Sequence, residues 1–139
     1  MILPTDSHQT EETKILKEFY SSLNRNDLPE VLKYIHPEIH RIEPASQHSS
    51  GIFNGFLEFE THLIQGRSTW AEGGCEIENF VISGDKIIVN VHVRVKLKKD
   101  QKWVEGRIAD GFVFKSGKII FMQTFFEREA GLNWLYSKV

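Results

Sequence analysis

The sequence predicts an α+β fold in which helices come first and a long antiparallel meander follows. Three observations carry this. Apolar residues recur at helical spacing from Thr10 onward, Ile87 to Leu97 alternates strictly, and turn signals divide the second half into four consecutive strands. Helices grouped ahead of a meander pack together on one side of the sheet. The expected shape is a cone: a strongly curved, mainly antiparallel sheet with the N-terminal helices on its concave side and a pocket at the open mouth.

The first helix is read from Ile15, Leu16, Phe19, Tyr20 and Leu23, with capping chemistry at Thr10 and Thr13. Asn24-Arg25-Asn26 breaks it. Asp27 then caps a shorter helix with Pro29 in its first turn and Val31, Leu32 and Ile35 as its apolar stripe, stopped by Pro37. His40 to Glu43 is a short extended piece, because Pro44 holds Glu43 away from helical backbone space. Ala45 to Ser50 is a polar loop. Phe56, Phe59, Leu63 and Ile64 mark a third helix between Gly55 and Gly66.

Strands follow Gly73-Gly74. Cys75 to Ile82 alternates into the turn Ser83-Gly84-Asp85-Lys86. Ile87, Val89, Val91, Val93, Val95 and Leu97 line one face of the next strand, leaving Ile88, Asn90, His92, Arg94 and Lys96 on the other. Trp103 to Phe114 and Lys118 to Glu127 complete the meander. Leu132, Trp134, Leu135 and Tyr136 suggest a terminal helix near 130–138 that covers one end of the sheet or reaches a partner subunit.

A length of 139 residues predicts one domain over 1–139, with its core near 10–128. A net charge of -2 gives no field that favours nucleic acid or an anionic membrane. The basic run from Arg94 to Lys102 falls on a hairpin tip. One cysteine, Cys75, forms no internal disulfide and fits a reducing compartment. The opening segment has neither a positive region nor an apolar one, so a cytoplasmic protein without a membrane span is expected.

Asp110 shares strand parity with Ile108, Phe112 and Phe114, which puts a carboxyl group on an apolar face where burial raises its pKa. Held neutral, it can donate a hydrogen bond to a developing enolate while Glu43 removes the neighbouring proton. The alternative is that Asp110 pairs with Arg94, Arg107 or His92, or faces outward on a twisted edge. His92 reads either as a proton shuttle or as a structural histidine. His62 is expected to face water. His36, His40 and Glu43 have a metal-like spacing, but Pro37 prevents the helix that would align two imidazoles, and no metal is expected. Phosphate-binding glycine loops and nucleophile elbows are missing from the sequence, and no cofactor is expected. Trp103, on the opposite parity from Asp110 and together with Val113, would form an exposed patch, from which a homodimer is expected.

Order and length of elements over residues 10–128 resemble the nuclear transport factor 2-like superfamily, with its ketosteroid isomerases and SnoaL-like polyketide cyclases. The pieces are Phe19 to Leu28, Ile42-Glu43-Pro44, Phe53-Asn54-Gly55 with Phe59, and Asp110 to Ile119. The resemblance implies a cone fold and, in the isomerases, a general base before the proline, where Glu43 stands. It also implies a protonated aspartic acid on the penultimate strand, matched by Asp110. Aligned on Leu23-Asn24, the isomerase tyrosine falls on Phe19, with Tyr20 one residue on and about 100° round the helix, so the oxyanion hole is expected to be incomplete. The reading is a SnoaL-like pocket protein for a small hydrophobic molecule. Glu43 and Asp110 are its candidate catalytic pair, and Phe19, Tyr20, Phe59, His92, Phe112 and Phe125 its candidate substrate contacts. If it is an enzyme, it is a cofactor-free isomerase, cyclase or dehydratase. The alternatives are a non-catalytic binding protein for a hydrophobic metabolite and a dimeric interaction module.

Overall fold

The computed structural model describes residues 10–45 and 51–138, so the loop expected over 45–50 lies, beyond Ala45, outside the described residues. Ten elements run in the order α1 (Glu11–Asn24), α2 (Leu28–Leu32), β1 (Ile35–Ile42), β2 (Ile52–Asn54), α3 (Phe56–Arg67), β3 (Trp70–Ser83), β4 (Lys86–Leu97), β5 (Trp103–Lys115), β6 (Lys118–Phe125) and α4 (Arg128–Leu135). Six strands form one sheet in the order β2-β1-β6-β5-β4-β3. All neighbours are antiparallel except β1 and β6, which run parallel.

The start of α1 follows its capping signal, because the Thr10 hydroxyl accepts from the Thr13 backbone N–H at 3.0 Å. The second helix is shorter than its apolar pattern suggests. It ends at Leu32, and Ile35 begins a strand that runs through Pro37 to Ile42. Pro37 is accommodated because the β1–β6 register shifts between Ile35 and His40, leaving it at an irregularity where no ladder bond is needed. Two further differences concern strands. Ile52–Asn54 pairs with β1 instead of leading straight into a helix, and β3 begins at Trp70, with a register shift between Trp70 and Glu72 ahead of its glycines.

The inner face of the sheet and the helices α1–α3 enclose the main core, which includes Leu16, Phe19, Val31, Ile39, Ile87, Val89 and Phe112. A ring cluster braces it: Phe19 meets Tyr20 and Phe112 edge-on at centroid distances of 5.2 and 5.9 Å. The other face carries a second, smaller cluster of Ile88, Ala109 and Leu135, flanked by Val81, Phe125 and Trp134. The terminal helix therefore covers one end of the sheet, as its apolar residues suggest. It lies so close that a Cβ at Gly111 would stand 2.6 Å from the Trp134 ring, which is why that strand position carries no side chain. No described helix is long and apolar enough to cross a membrane.

Candidate functional site

A cavity of about 420 Å³ opens between α1, α3 and the inner face of the sheet, within the range of small-molecule sites. Phe19, Tyr20 and Leu23 reach it from α1, Phe59, His62 and Leu63 from α3, Val93, Ile108 and Met122 from the sheet. Polar groups are few: Arg41 and Glu43 from β1 and its end, Asp110 from β5, Thr124 from β6, Arg67 from α3 and Cys75 from β3.

Asp110 is 3% exposed and faces inward, as its parity requires. Its carboxylate accepts hydrogen bonds from the Tyr20 hydroxyl and, at 2.6 Å, from Thr124 Oγ1. The same threonine oxygen accepts from an Arg41 Nη at 2.9 Å. Arg41, 8% exposed, also donates to Glu43 Oε2 at 3.0 Å, and His62 Nε2 lies 2.9 Å from that oxygen. One connected chain thus runs His62–Glu43–Arg41–Thr124–Asp110–Tyr20 along the cavity wall. The His62 ring stacks on Phe53 at 3.9 Å, which fixes its plane.

The two carboxyls are driven apart. Burial pushes Asp110 above the ordinary aspartate range, outweighing the nearby Arg41 charge and its two hydroxyl donors. Burial also acts to raise Glu43, but the His62 hydrogen bond and the Arg41 guanidinium prevail and hold it below its ordinary value. Burial and the adjacent Asp110 raise the Tyr20 phenol well above its usual range. The Cys75 thiol is pushed up to about 12, first by burial and then by Asp110, so it stays protonated. The two carboxyls thus shift in opposite directions, the separation from which acid and base assignments are made.

Several sequence expectations change. Tyr20 does reach Asp110, because α1 is wedged so deeply that Phe19 and Tyr20, 100° apart, are both buried. His62 turns inward to Glu43 instead of facing water. Phe59 and Phe19 line the cavity, whereas Phe112 sits behind Tyr20 as part of the ring cluster. His92 and Phe125 do not join the site. His92 lies on the outer face beside Glu105 at 2.6 Å, and Phe125 packs near Trp134, because the inner parity of β4 and β6 belongs to their neighbours. Asp110 pairs with none of Arg94, Arg107 or His92: Arg94 stacks on Trp103 at 3.9 Å and Arg107 pairs with Glu78 at 3.1 Å. His36, His40 and Glu43 do not converge, since His36 accepts from the Glu38 N–H and His40 bonds Asn54. Arg41 was missed by sequence reading, although Ile39, Arg41 and Glu43 alternate and so share one face of a strand.

Fold and site define a class: a cone of curved sheet and helices around an apolar chamber with an acidic floor. A profile of the SnoaL-like domain matches residues 16–122, and the chain belongs to that family. Among solved structures it is similar to an NTF2-like protein of unknown function from Burkholderia pseudomallei, at 19% identity and a TM-score of 0.75, covering 93% of this chain and 100% of the other. A putative SnoaL-like polyketide cyclase from Jannaschia is similar at 11% identity and a TM-score of 0.75, covering 99% and 100%. TerC, crystallised with polyporic acid, is similar at 15% identity and a TM-score of 0.74, covering 92% and 100%. These likenesses establish the fold. No curated protein matches the chain.

Proposed function

We propose that the protein is a cofactor-independent enzyme of isomerase, cyclase or dehydratase type that moves a proton on a small apolar carbonyl compound. The observation that carries this is the buried Asp110–Tyr20 pair in a largely apolar cavity that Glu43 also lines. Glu43, ionised at neutral pH, takes a proton from the carbon beside the carbonyl. The C–H electron pair becomes the C=C bond of the enolate, and the carbonyl π pair moves to oxygen, which accepts a hydrogen bond from protonated Asp110 or from Tyr20. Return of the proton to another carbon isomerises the compound. Arg41 and His62 keep the Glu43 carboxylate in place, and the Arg41–Thr124 contact ties its position to that of Asp110. The SnoaL-like polyketide cyclase among the structural neighbours is consistent with carbonyl chemistry in such a chamber.

The test is deuterium exchange. Aryl and cyclic ketones incubated with the protein in D2O should gain deuterium beside the carbonyl, read by NMR, and Glu43→Gln should slow this about 10²- to 10⁴-fold while leaving affinity largely intact. Ketones that bind without exchanging would overturn catalysis and leave a non-catalytic carrier. That second reading is favoured by the engagement of Glu43 Oε2 with both Arg41 and His62.

A homodimer and a cytoplasmic location belong to the same proposal. Trp103, 43% exposed on the outer sheet face, supports the first. Val113 does not extend that patch, because it lies ten residues along β5 and pairs with Phe121, itself stacked on Trp134. The lone cysteine supports the second. Sedimentation equilibrium checks the dimer.

A further inference from the structure

Arg67 differs from the other cation of the cavity. Arg41 is neutralised by Glu43, but among the described residues no carboxylate lies within ion-pair distance of Arg67. Its guanidinium donates from Nε to the Leu23 carbonyl at 2.8 Å and from an Nη to the Asn24 carbonyl at 3.0 Å, and stacks against Trp70 at 4.7 Å. A guanidinium carries five N–H groups, so three remain beyond those two bonds. The C-terminal carbonyls of α1 compensate part of the charge. They also fix the group's position, because Asn24 is itself pinned: its side chain bonds both the N–H and the C=O of Cys75, at 2.8 Å each. The arginine is thereby held on a rigid helix end at the cavity wall, with donor capacity left over.

Cys75 lines the same cavity as this group and Asp110. The cavity therefore has two polar poles, a hydrogen-bonded one at Asp110 and Tyr20 and a cationic one at Arg67, within a wall that is otherwise largely apolar and includes Phe59, Leu63 and Val93. A ligand complementary to both poles has a carbonyl at one end and an anion at the other. Among anions a carboxylate suits a guanidinium best, since it can take two parallel N–H donors.

We infer that the natural ligand is an apolar carbonyl compound that also bears a carboxylate, with the carboxylate seated on Arg67 and the carbonyl at Asp110 and Tyr20. This rests on the proposed reading of the acidic pole and adds the recognition of the far end. It assigns Arg67 as the specificity-determining residue.

Two probes differing only in that group test it: 2-acetylnaphthalene and 6-acetyl-2-naphthoate, titrated calorimetrically into the full chain. The acid should bind wild-type protein about tenfold to a hundredfold more tightly than the ketone, the range of a charge-assisted hydrogen-bonded pair. Arg67→Met should erase that preference. Equal affinity of the two probes for wild-type protein, or a preference that survives in Arg67→Met, would overturn the assignment. Because loss of the Leu23 and Asn24 contacts can weaken the fold, a second measurement uses wild-type protein alone. Raising salt should weaken the acid and not the ketone, and an equal response of both overturns the assignment without any variant. Deuterium exchange separates the two proposals. Exchange without acid preference removes the carboxylate assignment alone, and acid preference without exchange removes the catalytic reading while Arg67 keeps its role.

Discussion

The two faces of β5 each carry acidic groups, and the groups behave in opposite ways. Glu105, on the outer face, is exposed and paired with His92 at 2.6 Å, in a row that also contains Lys96–Glu72 at 3.3 Å and Arg107–Glu78 at 3.1 Å. Asp110, five positions on and inward, is buried and held by two hydroxyl groups while its carboxyl is raised. Outside, each of these groups meets its partner in water, and such a pair can be replaced at little cost. Inside, a single carboxyl depends on every neighbour, so its ionisation becomes a property of the whole cavity wall. Charged residues are common in this sequence, and the face on which each falls decides whether it meets water or the cavity.

The largest expected effect is on the inner face. Phe112→Ala removes the ring that braces Phe19 and Tyr20 and should lower stability by about 3–5 kcal/mol, measured by urea denaturation. Tyr20→Phe sharpens the comparison because the ring stays and one donor goes. It should cost about 1–3 kcal/mol and move the Asp110 carboxyl further upward, read by carboxyl-carbon NMR. An Asp110 titration left unchanged by Tyr20→Phe would show that the hydroxyl does not hold it.

Asp110→Asn gives a pH-dependent difference. A carboxyl whose folded pKa is raised stabilises the fold while protonated: the contribution is complete below the unfolded value of about 3.9 and is lost as pH rises through the raised folded value. The variant should match wild type at the acid end of that window and gain on it as pH rises, by up to about 1.4 kcal/mol per unit of elevation. Glu43 has the opposite sign. Its lowered carboxyl contributes stability above its ordinary value, lost as pH falls through the folded one, so Glu43→Gln should flatten the acid limb of a melting-temperature profile. The smallest effect belongs outside, where Lys96→Ala should cost less than about 1 kcal/mol. A cost comparable to Tyr20→Phe would erase the distinction between the two faces.

Local pattern was enough to read much of this in the sequence. Period-2 alternation located β4 and β5 and placed Asp110 inward, and helical spacing located α1 and α3. Irregularity hid what was missed. Pro37 suggests that a helix is ending, whereas it marks an irregularity in β1, and an extended piece confined to His40–Glu43 leaves Ile39 outside the alternation that Arg41 and Glu43 continue. His62 was unreadable because its orientation follows from Glu43 and Phe53 on other elements. Tyr20 was misjudged by a helix phase taken from one aligned pair, when the depth of α1 in the cone buries both neighbouring rings. His92 and Phe125 have residue types suited to a site but lie on the outer parity of their strands, and parity decides.

The parallel contact between β1 and β6 also bears on how the chain reaches this structure. Arg41 and Met122, paired across it, are separated by 81 residues, so the sheet joins its earliest strand directly to its latest. Such distant pairing is entropically slow to form, and refolding should be correspondingly slow for a domain of this size. During synthesis, Tyr20 and Arg41 leave the ribosome long before Thr124. A growing chain therefore holds an unsealed cone whose central strands have bare edges, and the acidic floor forms only when its last strand arrives.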